Sequence, residues 1–208
     1  MGERPEGRPS EPGLRGLGTW SPTPSSKTDV GRLCRQVAVD RRILDRLKVI
    51  GPVQPYGPDD NVENLPASYL EFVHALGYGR LGRLFLIYPP ALSGCDRLAV
   101  SSAALRTMLA ESEQAGLVEY EPDGSPELIR RLLPFGIGEN GETLAWDAQS
   151  ASADGERAVF LIGTKTLGVW LVGQTMYDFI EFVTSESFTR ILPGYGALLP
   201  TFEPLVLQ

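Results

Sequence analysis

Apolar residues recur at helical spacing in four stretches of the chain. From Asp29 to about Val49, Val30, Leu33, Cys34 and Val37, then Ile43, Leu44 and Leu47, fit one stripe, with Thr28 or Asp29 as the cap. Tyr69, Phe72, Val73 and Leu76 fall at i, i+3, i+4 and i+7, with Pro66 in the first turn and Gly77 at the stop, which predicts a short amphipathic helix. The segment Ser101 to Ala115 opens with two serines able to cap, carries Leu105, Met108 and Leu109 on one side and closes at Gly116. In the fourth stretch Thr175 and Asp178 form a capping box, and Met176, Phe179, Ile180 and Val183 repeat the i, i+3, i+4, i+7 pattern.

Between these helices the period shortens or the apolar runs become continuous. Arg83 to Tyr88 reads as a buried strand stopped by Pro89-Pro90, and the alternation of apolar and acidic residues up to Glu121 predicts a short strand at 117–121. Leu132–Phe135 and Glu142–Asp147 flank a loop holding Gly136, Gly138 and the Asn140-Gly141 pair, which predicts a hairpin. Arg157–Ile162 and Leu167–Val172 predict a second one, whose strands are expected at the centre of the sheet.

The remaining segments lack such patterns. Residues 1–28 are rich in Pro, Gly and Ser and have little to bury, so they are expected to form a disordered tail in which Trp20 is the one residue able to dock. A basic helix and a Pro/Gly linker then span 29–61, a core domain 62–186, and an extended tail 187–208. With 208 residues and 42% hydrophobic composition, the chain suffices for one domain plus tails. No apolar run approaches the roughly 18–20 residues of a membrane span, and the N-terminus lacks a signal-like apolar region, so a cytoplasmic location is expected.

Charge adds an asymmetry. Residues 1–58 carry ten Lys or Arg against six Asp or Glu, whereas residues 59–208 carry nine against twenty, so a positive leading segment precedes a distinctly acidic body. An acidic field repels phosphates, which argues against nucleic acid as a partner, and it steers a basic protein.

The catalytic residue types are sparse. The chain has one histidine, His74, within a predicted helix, and two isolated cysteines, Cys34 and Cys95. Neither a nucleophile–base frame nor a usual zinc set can be drawn from these, and no Asp-rich loop has calcium-ligand spacing, so neither enzymatic activity nor a metal or other cofactor is expected. Gly136-Ile137-Gly138-Glu139-Asn140-Gly141 spells a dinucleotide-loop pattern, but a strand-like segment follows it where a helix is required, and two acids flank the place of the phosphate.

The order of these elements, together with Leu65-Pro66, Tyr69, Phe72, Gly77 and Gly79, then Leu133-Pro134-Phe135-Gly136, Trp146-Asp147 and Tyr177-Asp178-Phe179-Ile180-Glu181-Phe182, resembles the SUKH superfamily over about residues 60–185. That superfamily includes yeast cell-wall assembly regulators and bacterial toxin-immunity proteins. The resemblance implies an α+β fold, with a curved, mainly antiparallel sheet and helices packed against it. It also implies a non-enzymatic surface that grips a partner protein, in bacterial members commonly a toxin and often a nuclease. The sequence departs from the family in having Gly77-Tyr78-Gly79 where members often show Asn followed by glycines, and in its first 50 residues.

On this reading a basic toxin domain is the expected partner, met by exposed acids around the sheet and hairpins: Glu119, Glu121, Asp123, Glu139, Glu142, Asp147, Asp154 and Glu156. A plain solvated acidic surface accounts for the same residues. Two other functions remain open at the level of sequence: an intracellular scaffold or regulatory domain with a host partner, and a small-molecule enzyme built around His74.

Overall fold

The computed structural model describes residues 41–54, 64–91, 93–163 and 167–207. The expectations for the tail at 1–28 with Trp20, for the helix over residues 29–40 with Cys34, and for the linker residues 55–61 lie outside the described residues. The elements in chain order are α1 (Arg42–Asp45), β1 (Lys48–Val49), α2 (Ala67–Leu76), β2 (Gly79–Leu81), β3 (Phe85–Ile87), α3 (Leu98–Gln114), α4 (Pro126–Arg131), β4 (Leu132–Gly138), β5 (Thr143–Asp147), β6 (Val159–Ile162), β7 (Val169–Gly173), α5 (Met176–Val183), a 3-10 turn (Glu186–Arg190) and β8 (Thr201–Pro204). They form the expected α+β arrangement, a single mainly antiparallel sheet with helices against it.

The strand order is β1-β8-β2-β3-β4-β5-β6-β7. Strands β2 to β7 follow chain order as antiparallel neighbours. Strand β8 then returns to the far side of β2, antiparallel to it, and β1 joins parallel to β8. The sheet therefore takes in residues from both ends of the described chain.

Both faces of the sheet are covered. On β6, Val159 and Leu161 join a core with Tyr69, Phe72, Val73 and Leu76 of α2 and Met176, Phe179, Ile180 and Val183 of α5. The alternate residues Phe160 and Ile162 join a second core with Leu109 of α3 and Leu128 and Ile129 of α4. Two-sided burial explains why β6 reads as a continuous apolar run. Helices α2 and α5 bury the four residues that their periodicity selected, and the Thr175/Asp178 capping box is formed.

Several sequence expectations are corrected. The helix expected to continue to about Val49 stops at Asp45, and Lys48–Val49 is a strand, because the Lys48 and Ile50 amides find the Pro200 and Phe202 carbonyls. Helix α3 starts at Leu98 with no side-chain cap, three residues before the expected serine, and Ser101 is buried within its first turn. No strand forms at 117–121: Val118 is buried, Glu119 and Glu121 face water, and the period of two is kept, but no neighbouring strand completes a ladder there. Strand β2 went unread; it pairs with β3 through a turn in which Gly82 and Arg83 both have positive φ and the Leu84 amide bonds the Leu81 carbonyl, the pattern of a type I′ turn.

The hairpin of β4 and β5 forms as expected, but Gly136 and Gly138 belong to β4, and only residues 139–142 make the turn. No helix follows that glycine run. The second hairpin also forms, yet its strands are not central, since β7 is the sheet's edge.

Three rings fix α2 to the middle of the sheet. Phe135 and Trp146 stack across β4 and β5 with centroids 4.3 Å apart and planes 14° from parallel, and Tyr69 meets both edge-on. At the other side β2 passes so close to β8 that a Cβ at Gly79 would fall on the Glu203 carbonyl and the Phe202 ring.

Two stability outcomes follow. Trp146→Ala empties the space under Tyr69 and Phe135 and is expected to cost about 3–5 kcal/mol, read as a lower urea midpoint with an unchanged slope. Gly79→Ala is expected to cost at least about 1–3 kcal/mol by prising β8 from β2, detectable as faster amide exchange at Leu81 and Phe202.

Candidate partner-binding surface

The eight acids singled out from the sequence do not share one surface. The pairing of Thr143 with Ile162 and of Trp146 with Val159 puts the β4–β5 turn at one end of the sheet and the β5–β6 loop at the opposite end. Glu139 and Glu142 therefore sit at one end, and Asp147, Asp154 and Glu156 at the other. Glu121 and Asp123 lie along the β7 edge, where Pro122 bridges to Val169, and Glu119 lies in the segment that leads to it.

Three of the eight are not exposed, two of them buried and one half-buried, which corrects that expectation. Asp147 retains only 6% of its accessible surface and receives Arg131 in a bidentate pair, from Nε at 2.6 Å and Nη2 at 2.8 Å, as well as the Gln149 amide at 2.9 Å. The Arg131 hydrogen bonds, more than any other influence, hold its carboxyl below the ordinary value of 3.8. Glu142, at 5% exposure, turns back along its own hairpin and accepts from the Asn140 amide and side chain. Its carboxylate lies where a side chain at Gly138 would be, so a larger residue there would have to displace the Glu142 carboxylate.

Glu156 is half-buried and holds three elements together. Its carboxylate accepts from the Ser68 amide at 2.7 Å and the Ser68 hydroxyl at 2.6 Å. The same hydroxyl accepts from the Met176 amide at 2.9 Å. Helix α2 begins after Pro66, which has no capping side chain, so a carboxylate 88 residues away supplies the cap that its first turn lacks. Ser68 also ties that turn to the start of α5. Beside this junction the Tyr177 hydroxyl donates to Glu71 at 2.5 Å, and Arg41 pairs with the same carboxylate at 3.6 Å. Burial, followed by the Glu71 bond, pushes the Tyr177 phenol well above the usual tyrosine range.

The other five acids are exposed, three of them with defined contacts. The Asp123 carboxylate accepts from the Leu171 amide at 2.9 Å, while the Glu121 carbonyl and the Asp123 amide take up the amide and carbonyl of Val169. Glu139 pairs with Arg80 at 3.4 Å across exposed side chains. Asp154 accepts from the Ser152 hydroxyl, which leads the influences lowering its carboxyl. Glu119 and Glu121 point into solvent.

Sequence reasoning missed the residues that make one group coherent. At the end of α3, Glu113 receives Tyr120 Oη at 3.4 Å and Arg130 Nη2 at 3.3 Å, bringing α3, the 117–123 segment and α4 together. Glu127, in the first turn of α4, lies close enough to influence the Tyr120 phenol. Its own carboxyl is lowered first by its backbone amide and then by the Ser125 hydroxyl. Glu113, Glu119, Glu121, Asp123 and Glu127 thus lie on the three elements that meet at this acidic corner, with Arg130 paired to Glu113 and both Arg130 and Arg131 acting on Glu127. The signal for α4 was present in Ser125-Pro126-Glu127, an N-cap with Pro at the next position; its folding against Glu113 was not.

His74 lies on the exposed side of α2, and Cys95 is an exposed free thiol. Among the described residues no group of three His, Cys, Asp or Glu side chains is placed to hold a metal ion, and no helix is long and apolar enough to cross a membrane. No protein-family model, curated protein or solved structure matches the chain.

Two measurements probe the acids assigned to structure. Glu156→Gln weakens the α2 cap and is expected to cost about 1 kcal/mol, with the loss of amide protection centred on Ser68 and Met176. Asp147 has a folded-state pKa below its unfolded one, so its contribution is complete above about pH 4 and is lost as pH falls through the lowered value. Asp147→Asn should therefore cost about 2 kcal/mol at neutral pH and flatten the acid limb of the stability curve; an unchanged limb would show that the pair does not govern it.

Proposed function

We propose that this chain is a non-enzymatic, SUKH-like protein-binding domain of the immunity type, working in the cytoplasm, that neutralises a toxin by covering its active surface. The observation that carries the reading is the convergence of the motif residues. Tyr69, Phe135 and Trp146, from three separate parts of the pattern, pack as one aromatic cluster. Asp147, next to Trp146, holds the end of α4 through Arg131. The motif helix Met176–Val183 is joined to the Leu-Pro helix through Ser68. Those residues are spent on making a rigid frame, which leaves recognition to the surface it carries.

On that surface the acidic corner of Glu113, Glu119, Glu121, Asp123 and Glu127 is the best-suited contact for a basic partner. A nuclease presents cationic groups that bind phosphate, and carboxylates held on a rigid scaffold can occupy them. Exposed charges of this kind act chiefly on the rate of encounter, with a strong dependence on salt.

The test begins with the full chain as bait in its native cell and identification of the captured protein. A toxin domain with excess positive charge is the expected catch, and co-expression should abolish its toxicity. The triple variant Glu119→Gln, Glu121→Gln, Glu127→Gln, which leaves the Asp123 and Glu113 contacts in place, should slow association about tenfold at low salt and flatten its salt dependence. An unchanged association rate would remove the charge mechanism. Substrate turnover abolished by His74→Ala would overturn the non-enzymatic reading.

A further inference from the structure

We draw no further inference here: the strongest candidate, the outward face of α3, where Ala99, Val100, Ala103, Thr107 and Ala110 form an exposed uncharged strip, is a stripe of small residues, and nothing in the structure shows what covers it.

Discussion

Burial of a single open sheet on both faces is the constraint from which the other features follow. Each strand with a neighbour on both sides must present apolar side chains in both directions, as β5 and β6 do with every residue buried. Although the Thr143 and Thr201 hydroxyls are buried without a partner among the described residues, a polar group caught at the rim of such a sheet is cut off from water and gains from pairing. Asp147 meets this with Arg131, Glu142 with Asn140, and Ser68 with Glu156 and the Met176 amide. Carboxylates that look like surface charge in the sequence thus become the fasteners of loops and helix ends.

An open sheet also leaves two edges able to pair with other chains, and here each is blunted in a different way. At β7 the segment Glu121–Asp123 runs alongside, satisfying both backbone groups of Val169, and the Asp123 carboxylate takes the Leu171 amide. At the other edge β1 is only two residues long, contains Lys48 and is soon followed by Gly51 and Pro52. Length and composition limit pairing at one edge, and a covering segment does so at the other.

These fastenings redistribute the acidic charge. With Asp147, Glu142 and Glu156 engaged, the acids at the two ends of the sheet contribute less to an open surface than their number suggests. At the corner where α3, α4 and the 117–123 segment meet, Glu119, Glu121 and Glu127 remain exposed to water. The arginines that flank α1 lie on the other face of the sheet, where Arg41 and Arg46 meet Glu71 and Glu181. Among the described residues, part of the charge contrast is thus met by ion pairs within the fold.

The sequence by itself determined the elements whose information is local. Helices α2 and α5 were legible because their core residues recur within two turns and their ends carry Pro66, Gly77 and the Thr175/Asp178 box. The β4–β5 and β6–β7 hairpins were legible because strands of four or more residues flank their turns, whereas the three-residue β2 before the β2–β3 turn shows no apolar run. Tertiary structure alone decided what depends on partners far along the chain. Strand β1 exists because its partner β8 stands about 150 residues later, and the 117–121 segment, with a good alternation, is no strand because it meets β7 only past its end, in the single bridge of Pro122 to Val169. The same holds for the acids: periodicity tells which way a side chain faces, whereas the role of a carboxylate is set by the donor opposite, and Ser68 and Arg131 reach their acids only once the sheet is assembled.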